Sequence, residues 1–197
     1  MDIFKVWQWL AVLFGIGEVL LARINNILLY PAGIISSAIS MYVLAHAGLY
    51  AECGLNGYYV IMSIYGWWHW SGKKNSPPVR ISYCTRKEWW ITLGFVVLAF
   101  LALAFILARY TPSSVPLWDA FVTATAWVGT WLLARRKIEN WILLNISNAV
   151  AIPLLLYKQL PLFALLTAFL FGIALQGYFS WRKKIRHHAS SVVGASG

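Results

Sequence analysis

Polar and aromatic side chains recur at helical spacing inside segments of this chain that are otherwise apolar. Polar groups in hydrocarbon are costly unless they face a bundle interior or a wet cavity. Asparagine amides both donate and accept hydrogen bonds, and a tryptophan face attracts planar rings, cationic rings most of all. Together, such groups can hold a small polar solute that contains a ring. The candidate solute-binding residues are Trp127, Trp131, Asn145, Asn148, Asn56, Tyr59, Trp67, Tyr178 and Gln176.

Trp127 is the most informative of these residues, because most of the twelve tryptophans lie near segment ends. An interfacial belt explains tryptophans at the ends of membrane spans. Trp127 instead precedes Arg135 by about 12 Å at a rise of 1.5 Å per residue, which places it near the middle of a bilayer. Stacking on a cationic ring there would contribute about 0.5–2 kcal/mol. The alternative explanation for each polar stripe is helix–helix packing with interhelical hydrogen bonds.

Glu18 is the only acidic residue that lies well inside an apolar segment. It is a candidate charge partner for a cationic solute, or a proton-binding group. The alternative is an ion pair with Arg23, which follows on the same predicted helix. The sequence contains no nucleotide-binding loop, catalytic dyad or metal-ligand spacing. We therefore expect no enzyme activity, no cofactor and no metal.

The composition indicates a membrane protein. The chain has 197 residues, of which 60% are hydrophobic and only 11% are charged, and its mean hydropathy is +0.67. A soluble domain carries about 25% charged residues, so lipid must cover much of this surface. The formal net charge is +10. Because the basic residues form short clusters between apolar runs, we do not expect nucleic-acid binding.

Seven apolar segments are long enough to cross a bilayer, which requires about 20 mostly apolar residues. They are 6–22, 27–47, 53–71, 89–108, 116–134, 139–157 and 160–181. The connections are short except for the polar stretch 71–87, which contains Pro77-Pro78. We therefore predict an all-α integral membrane protein with seven transmembrane helices.

The distribution of Lys and Arg predicts the orientation. With seven spans, the loops on the side of the N-terminus contain only Lys5, Arg109 and Lys158. The other side contains the remaining basic residues, which include Arg135-Arg136-Lys137 and the tail. We expect the N-terminus to be outside and the C-terminus to be cytoplasmic.

The two halves of the chain share an ordered set of sequence matches. Leu20-Leu21-Ala22-Arg23 ends the first span, and Leu132-Leu133-Ala134-Arg135 ends the fifth. Each half closes with Gly-x-x-x-Trp, at Gly66 to Trp70 and at Gly177 to Trp181. Because matched residues fall on the same side of the membrane, the repeats should be parallel. Transporters built from such repeats place the solute site near the midplane between them.

This repeat predicts a 3+1+3 arrangement of helices. Residues 1–71 form the first three-helix repeat, and residues 72–110 form a cytoplasmic linker plus a connecting fourth helix. Residues 111–186 form the second repeat, and residues 187–197 form a disordered tail. The repeat aligns Glu18 with Thr130.

The segment Thr130 to Trp141, which contains Glu139-Asn140-Trp141, resembles the signature of the PnuC family of vitamin transporters. Leu156-Tyr157-Lys158 and the closing Gly177-x-x-x-Trp181 are also similar to that family. The resemblance covers roughly residues 1–185. It implies a 3+1+3 facilitator, commonly a homo-trimer, that takes up nicotinamide riboside or, in subfamilies, thiamine and other solutes. It also implies that a cytoplasmic kinase phosphorylates the solute and so traps it. The chain departs from the family pattern at Asn145 to Asn148, which leaves the solute open.

The leading hypothesis is facilitated uptake of nicotinamide riboside across a bacterial inner membrane, with thiamine as the alternative solute. Both molecules carry a permanent ring cation, which agrees with the tryptophan-lined site. From other classes, the chain could be a membrane enzyme that acts on a lipid-linked substrate, or a structural subunit without a solute site.

Overall fold

The computed structural model describes residues 3–46, 50–71, 80–111 and 113–194, and these form seven α-helices. The predicted all-α fold is therefore confirmed. The residues Pro77-Pro78 of the predicted linker lie outside the described ranges. The helices are α1 (Ile3–Ile24), α2 (Leu29–His46), α3 (Tyr50–Ser71), α4 (Arg86–Tyr110), α5 (Pro116–Ala134), α6 (Asn140–Tyr157) and α7 (Pro161–Gly194).

Local signals in the sequence fix where several helices begin. Thr85 and Glu88 form a reciprocal capping box at the start of α4, in which the Thr85 hydroxyl accepts from the Glu88 N–H. This arrangement satisfies two backbone donors that a helix start leaves unpaired. Pro116 occupies the first turn of α5, where a missing N–H costs nothing.

Three helices end in the same kind of turn, with one residue in the left-handed conformation. These residues are Asn25 after α1, Arg136 after α5 and Gln159 after α6, with φ values of 62°, 53° and 59°. In each case the next N–H bonds to a carbonyl five residues back, for example Asn26 to Leu21 and Lys137 to Leu132, both at 2.9 Å. This is the Schellman ending, and it lets the chain reverse direction within a few residues.

Six helices form a closed ring in which each packs against two neighbours. Around the ring the order is α1, α2, α3, α5, α6, α7, and α7 contacts α1 again. The contact of α3 with α5 and that of α7 with α1 are equivalent under exchange of the two repeats. Helix α4 packs against α5 and exposes a wide apolar face that includes Trp90, Leu98 and Phe105. The predicted 3+1+3 arrangement is confirmed.

Among the described residues, five helices are long and apolar enough to cross a membrane by length and composition alone. The two others are α3, which carries Asn56 and His69, and α5, which carries Asp119 and several threonines. Their polar content is what a helix needs when it faces the inside of a bundle.

The matched turns correct the register of the repeat. Asn25 and Arg136 are 111 residues apart, as are Leu21 and Leu132 at the start of the same hydrogen-bond pattern. This spacing aligns Glu18 with Gly129, whereas the sequence match had aligned it with Thr130. The two Leu-Leu-Ala-Arg sequences lie one residue further apart than the two matched turns do. The alignment of the repeats therefore shifts by a single residue.

Helix α7 continues to Gly194, past the boundary at 187 where the sequence predicts a disordered tail. Residues 182–193 contain neither proline nor glycine, so nothing in them breaks a helix that is already formed. Lys184 Nζ donates to the carbonyl of Ile24 at 2.5 Å, which ties this part of α7 to the end of α1. The end of the bundle that carries Arg23, Arg135–Lys137 and Arg182–Arg186 is called the basic end below.

Candidate functional site

A cavity of about 260 Å³ lies inside the helix ring. Five helices contribute to its wall, namely α1, α2, α3, α5 and α6. The lining residues are Glu18, Val19, Ala22, Ser36, Ser37, Ser40, Asn56, Tyr59, Thr130, Leu133, Trp141 and Leu144. Ligand pockets for drug-sized molecules span about 300–1,000 Å³, so this cavity suits a solute at the small end of that range.

Three residues that the sequence identifies as candidates meet in this cavity. They are Glu18 from α1 and Asn56 and Tyr59 from α3. Glu18 precedes the end of α1 at Ile24 by about 9 Å at 1.5 Å per residue, so its carboxyl lies well inside the bundle. The alternative pairing of Glu18 is absent, since among the described residues no salt bridge joins it to Arg23. Arg23 Nη1 instead donates to Gln176 Oε1 at 2.6 Å.

A polar face of α2 completes the cavity, and its residues are not among those predicted from the sequence. Ser36, Ser37 and Ser40 all line the wall. The Ser36 hydroxyl donates to the carbonyl of Ala11 at 2.8 Å, and the Ser40 hydroxyl donates to the carbonyl of Ser36 at 2.9 Å. Both oxygens retain lone pairs that can accept from a solute. The signal was present as three serines within five residues of an apolar span.

A layer of four aromatic rings lies between the cavity and the basic end. Tyr30, Trp70, Trp141 and Trp181 are each at most 4% exposed and belong to one buried cluster. Trp70 packs edge-on against Tyr30, and Trp141 packs edge-on against Trp181, each pair with interplanar angles of 90°. Trp141 is the one ring of the four that also lines the cavity, so the layer borders the cavity at this ring. Trp70, Trp141 and Trp181 lie near segment ends, where the sequence predicts an interfacial belt; the structure corrects this prediction, because all three are buried in the interior of the bundle.

Hydrogen bonds between the repeats hold this layer. The Trp70 indole on α3 donates to the carbonyl of Ala134 at the end of α5, at 3.0 Å. The Trp181 indole on α7 donates to the carbonyl of Ala22 at the end of α1, also at 3.0 Å. Each repeat therefore supplies the donor for one bond and the acceptor for the other. These bonds explain the two Gly-x-x-x-Trp sequences that close the halves.

The glycine of each Gly-x-x-x-Trp sequence makes room for a ring from the preceding helix. A methyl group on Gly177 would lie 2.7 Å from the Trp141 ring, and one on Gly66 would collide with the Tyr30 ring. Tyr30 and Trp141 are themselves 111 residues apart, so the same packing occurs in both repeats.

Trp127 and Trp131 lie on faces of α5 that point away from the cavity lining. The Trp127 ring stacks on Tyr58 of α3 with centroids 4.3 Å apart and an interplanar angle of 18°. Tyr58 also donates its hydroxyl to the Trp127 carbonyl at 2.9 Å. The Trp131 ring stacks on Phe95 of α4 at 5.4 Å. That either indole contacts a solute stays a prediction, and it requires the ring to leave its present aromatic partner.

The remaining candidates are distributed over other surfaces. Asn145 and Tyr178 line a groove of about 510 Å³ between α6 and α7. The Asn145 side chain donates to the carbonyl of Trp141 at 2.7 Å. Asn148 is half-buried on α6 and is not among the cavity-lining residues. Trp67 is 43% exposed near the end of α3, and Gln176 binds Arg23 as described above.

A short strap, residues 80–85, crosses the turn between α5 and α6 at the basic end. Ser82 forms a single parallel bridge with Lys137, in which the Ser82 N–H donates to the Arg136 carbonyl at 3.1 Å. The buried Glu139 accepts from the Cys84 N–H at 2.9 Å. Burial, together with the Glu139 carboxylate, raises the pKa of the Cys84 thiol to about 12. These hydrogen bonds attach the start of α4 to the second repeat.

Arg136 lies beside the aromatic layer, with its guanidinium carbon 3.9 Å from the centre of a Trp70 ring. Burial lowers the pKa of this guanidinium, although an arginine stays charged at any physiological pH. At the opposite end of the bundle, Lys158 binds both carboxylate oxygens of Asp119 at 2.6 Å. This pair joins the start of α5 to the end of α6.

The sequence model that describes the nicotinamide mononucleotide transporter family matches residues 5–183. The chain belongs to this family. Membership makes the protein a multi-pass membrane transporter, and it decides against the membrane enzyme and the structural subunit that the sequence had left open.

Individual relatives agree with the family. The chain is 25% identical to the nicotinamide riboside transporter PnuC of Escherichia coli (strain K12), over 93% of this chain and 87% of that protein. The PnuC protein of Shigella flexneri matches with the same identity and coverage. A crystal structure of the vitamin B3 transporter PnuC superimposes with a TM-score of 0.71 at 24% identity, covering 91% of this chain and 81% of that one. The resemblance to the PnuC family is therefore confirmed, and so is the fold.

Proposed function

We propose that this transporter carries nicotinamide riboside and that the cavity inside the helix ring is its binding site. The observation that supports this solute is the charge of the lining. Glu18 is the only charged residue among the described residues that line the cavity. A permanent pyridinium cation suits an isolated carboxylate, whereas a phosphate needs Lys or Arg donors. The riboside therefore fits the lining better than the phosphorylated mononucleotide does.

The uncharged groups of the cavity suit the rest of the solute. Ser37 and Ser40 can accept hydrogen bonds from ribose hydroxyls, and Asn56 can both donate and accept towards a carboxamide. Leu133, Leu144 and the Trp141 ring form the opposite wall, against which a planar ring can pack. A cation next to an indole face gains about 0.5–2 kcal/mol.

In this proposal the basic end faces the cytoplasm of a bacterial inner membrane, with the N-terminus outside. The excess of Lys and Arg at that end supports this orientation. The four-ring layer then closes the cavity on the cytoplasmic side, and release of the solute requires Trp70 and Trp181 to separate from the opposite repeat. Such a rocking of two repeats about a central site is how alternating access commonly works.

Uptake in this proposal is facilitated diffusion, and a cytoplasmic kinase that phosphorylates the riboside traps it. The lining again supports this step, because a phosphorylated product would meet Glu18 and find no basic partner in the cavity. The chain is proposed to act as a homo-trimer, which native mass spectrometry of the detergent-solubilised protein would test directly.

Uptake of radiolabelled nicotinamide riboside into proteoliposomes tests the proposal. We expect uptake to reach equilibrium with empty vesicles, and to exceed it when the vesicles contain a nicotinamide riboside kinase and ATP. Excess unlabelled riboside should compete, whereas nicotinamide mononucleotide should not. Stronger competition by thiamine would assign the site to thiamine instead, and absence of saturable uptake of either solute would refute the proposal.

A further inference from the structure

The Glu18 carboxyl group lies directly over Gly33 of the neighbouring helix. A Cβ atom built on Gly33 would be 2.6 Å from Glu18 Oε1, 2.7 Å from Cδ and 3.0 Å from Oε2. Real side chains essentially never approach so closely, so the carboxyl occupies space that only a glycine leaves free. The side chain of Glu18 therefore crosses from α1 to α2 at this one position.

The second repeat contains the same contact with the roles exchanged. The spacing of 111 residues aligns Glu18 with Gly129, and Gly33 with Leu144. A Cβ atom on Gly129 would be 3.1 Å from both Cδ2 and Cγ of Leu144. In the first repeat, α1 supplies the side chain and α2 supplies the glycine. In the second repeat, α5 supplies the glycine and α6 supplies the side chain.

Both side chains line the cavity, so this exchange makes its two halves chemically different. The α1–α2 side presents the Glu18 carboxylate with three serines. The α5–α6 side is uncharged and presents Leu133, Leu144 and the Trp141 ring with a single hydroxyl, that of Thr130, which donates to the carbonyl of Ala126. A cavity between two similar repeats would otherwise offer a solute two nearly equivalent orientations.

We infer that Gly33 is a positioning residue that holds the Glu18 carboxylate across α2, and so gives the cavity its preference for cations and a single orientation of the bound solute. The inference rests on the proposed function of the cavity as a solute site. In the inferred orientation, the positive charge of the solute lies towards α1 and α2, and the uncharged ring edge lies towards Leu133 and Leu144.

Replacing Gly33 with alanine should change selectivity without unfolding the protein. The added methyl group meets the far end of a flexible side chain, which can rotate away, rather than backbone. The carboxylate then leaves its position, and the cation loses its partner. The matched control is Gly129→Ala, which adds the same methyl group at the Glu18-equivalent position of the other repeat, against uncharged Leu144.

The test compares two solutes of nearly the same shape, nicotinamide riboside and its reduced form, 1,4-dihydronicotinamide riboside, which has no ring charge. Dissociation constants are measured for purified wild type, Gly33→Ala, Gly129→Ala, Glu18→Asp and the double variant Gly33→Ala with Glu18→Asp. Size-exclusion profiles and melting temperatures report folding.

We expect Gly33→Ala to bind the cation at least tenfold more weakly and the uncharged form less than twofold more weakly. Gly129→Ala should keep the wild-type ratio between the two solutes. Because aspartate is shorter by one methylene, the double variant should bind the cation more tightly than Gly33→Ala alone. Equal losses for both solutes in Gly33→Ala, or no rescue by the shorter side chain, would overturn the inference. If wild type bound neither solute, the proposed function itself would fall, and the inference with it.

Discussion

Replacing Glu18 with glutamine removes the charge of the cavity while keeping its shape. Glutamine has the same length, so it can still lie over Gly33, and the serines and Asn56 stay in place. The variant therefore isolates the interaction between the carboxylate and a cationic ring from the packing of the site.

The size of the effect follows from the distance and the surroundings of the charge. A ring cation about 5 Å from the carboxylate gains about 3 kcal/mol at an effective dielectric constant of about 20. Glu18 is only half-buried and faces the cavity, so solvent screening lowers this gain to about 2 kcal/mol. That difference corresponds to about a thirtyfold increase in the dissociation constant.

Isothermal titration calorimetry in detergent or nanodiscs measures this loss for nicotinamide riboside and for its uncharged reduced form. We expect the thirtyfold loss for the cation and a change below threefold for the uncharged form. Unchanged affinity for the cation in Glu18→Gln would refute the assignment of the charge partner. A loss of the same size for both solutes would show that the side chain acts through packing.

Three further predictions concern the bundle around the cavity. Trp181→Phe removes the indole hydrogen bond to the Ala22 carbonyl, which keeps its bond from the Asn25 N–H. The lost bond and the smaller ring should together lower stability by about 1–2 kcal/mol, whereas the exposed Trp9→Phe should not lower it; equal melting temperatures would contradict the bond. Gly177→Ala pushes a methyl group into a rigid indole of α6 and should lower the free energy of unfolding by about 2 kcal/mol. The control is Gly172→Ala, whose methyl group enters open space. If Gly177→Ala were as stable as this control, the packing would be contradicted. Burial, with a neighbouring carboxylate, raises the pKa of the Cys84 thiol to about 12. Iodoacetamide at pH 8 should therefore alkylate this thiol far more slowly in the native than in the denatured protein. Site-resolved mass spectrometry measures both rates, and similar rates would contradict the burial.

The number of helices and their order could be predicted from the sequence, because hydropathy and helix length act over about 20 residues at a time. The predicted segment 116–134 coincides with α5. The parallel repeat could also be detected, since the Gly-x-x-x-Trp sequences mark a packing that both halves need. Its register was wrong by one residue for Glu18, because a match of letters does not report where the helix-ending turn lies.

The direction in which each polar stripe faces could not be predicted with the same success. A helix in a ring contacts two neighbouring helices and the cavity. An aromatic stripe on such a helix can therefore face any of these three, and its spacing does not show which. The Trp127 ring stacks on Tyr58, and the Trp131 ring stacks on Phe95, although the spacing of the two tryptophans was equally compatible with contact to a solute. The serines of α2 were overlooked because single hydroxyl groups are common in membrane helices and carry a weak signal.

In the proposed mode of binding, a cationic vitamin lies inside the helix ring, beside Glu18. A structure of the purified protein with bound nicotinamide riboside tests this most directly. We expect density for the solute in the cavity above the four-ring layer, with the pyridinium ring towards α1 and α2 and within contact of the Glu18 carboxylate. Density in the groove between α6 and α7, or a cavity that holds no solute at saturating riboside, would contradict it.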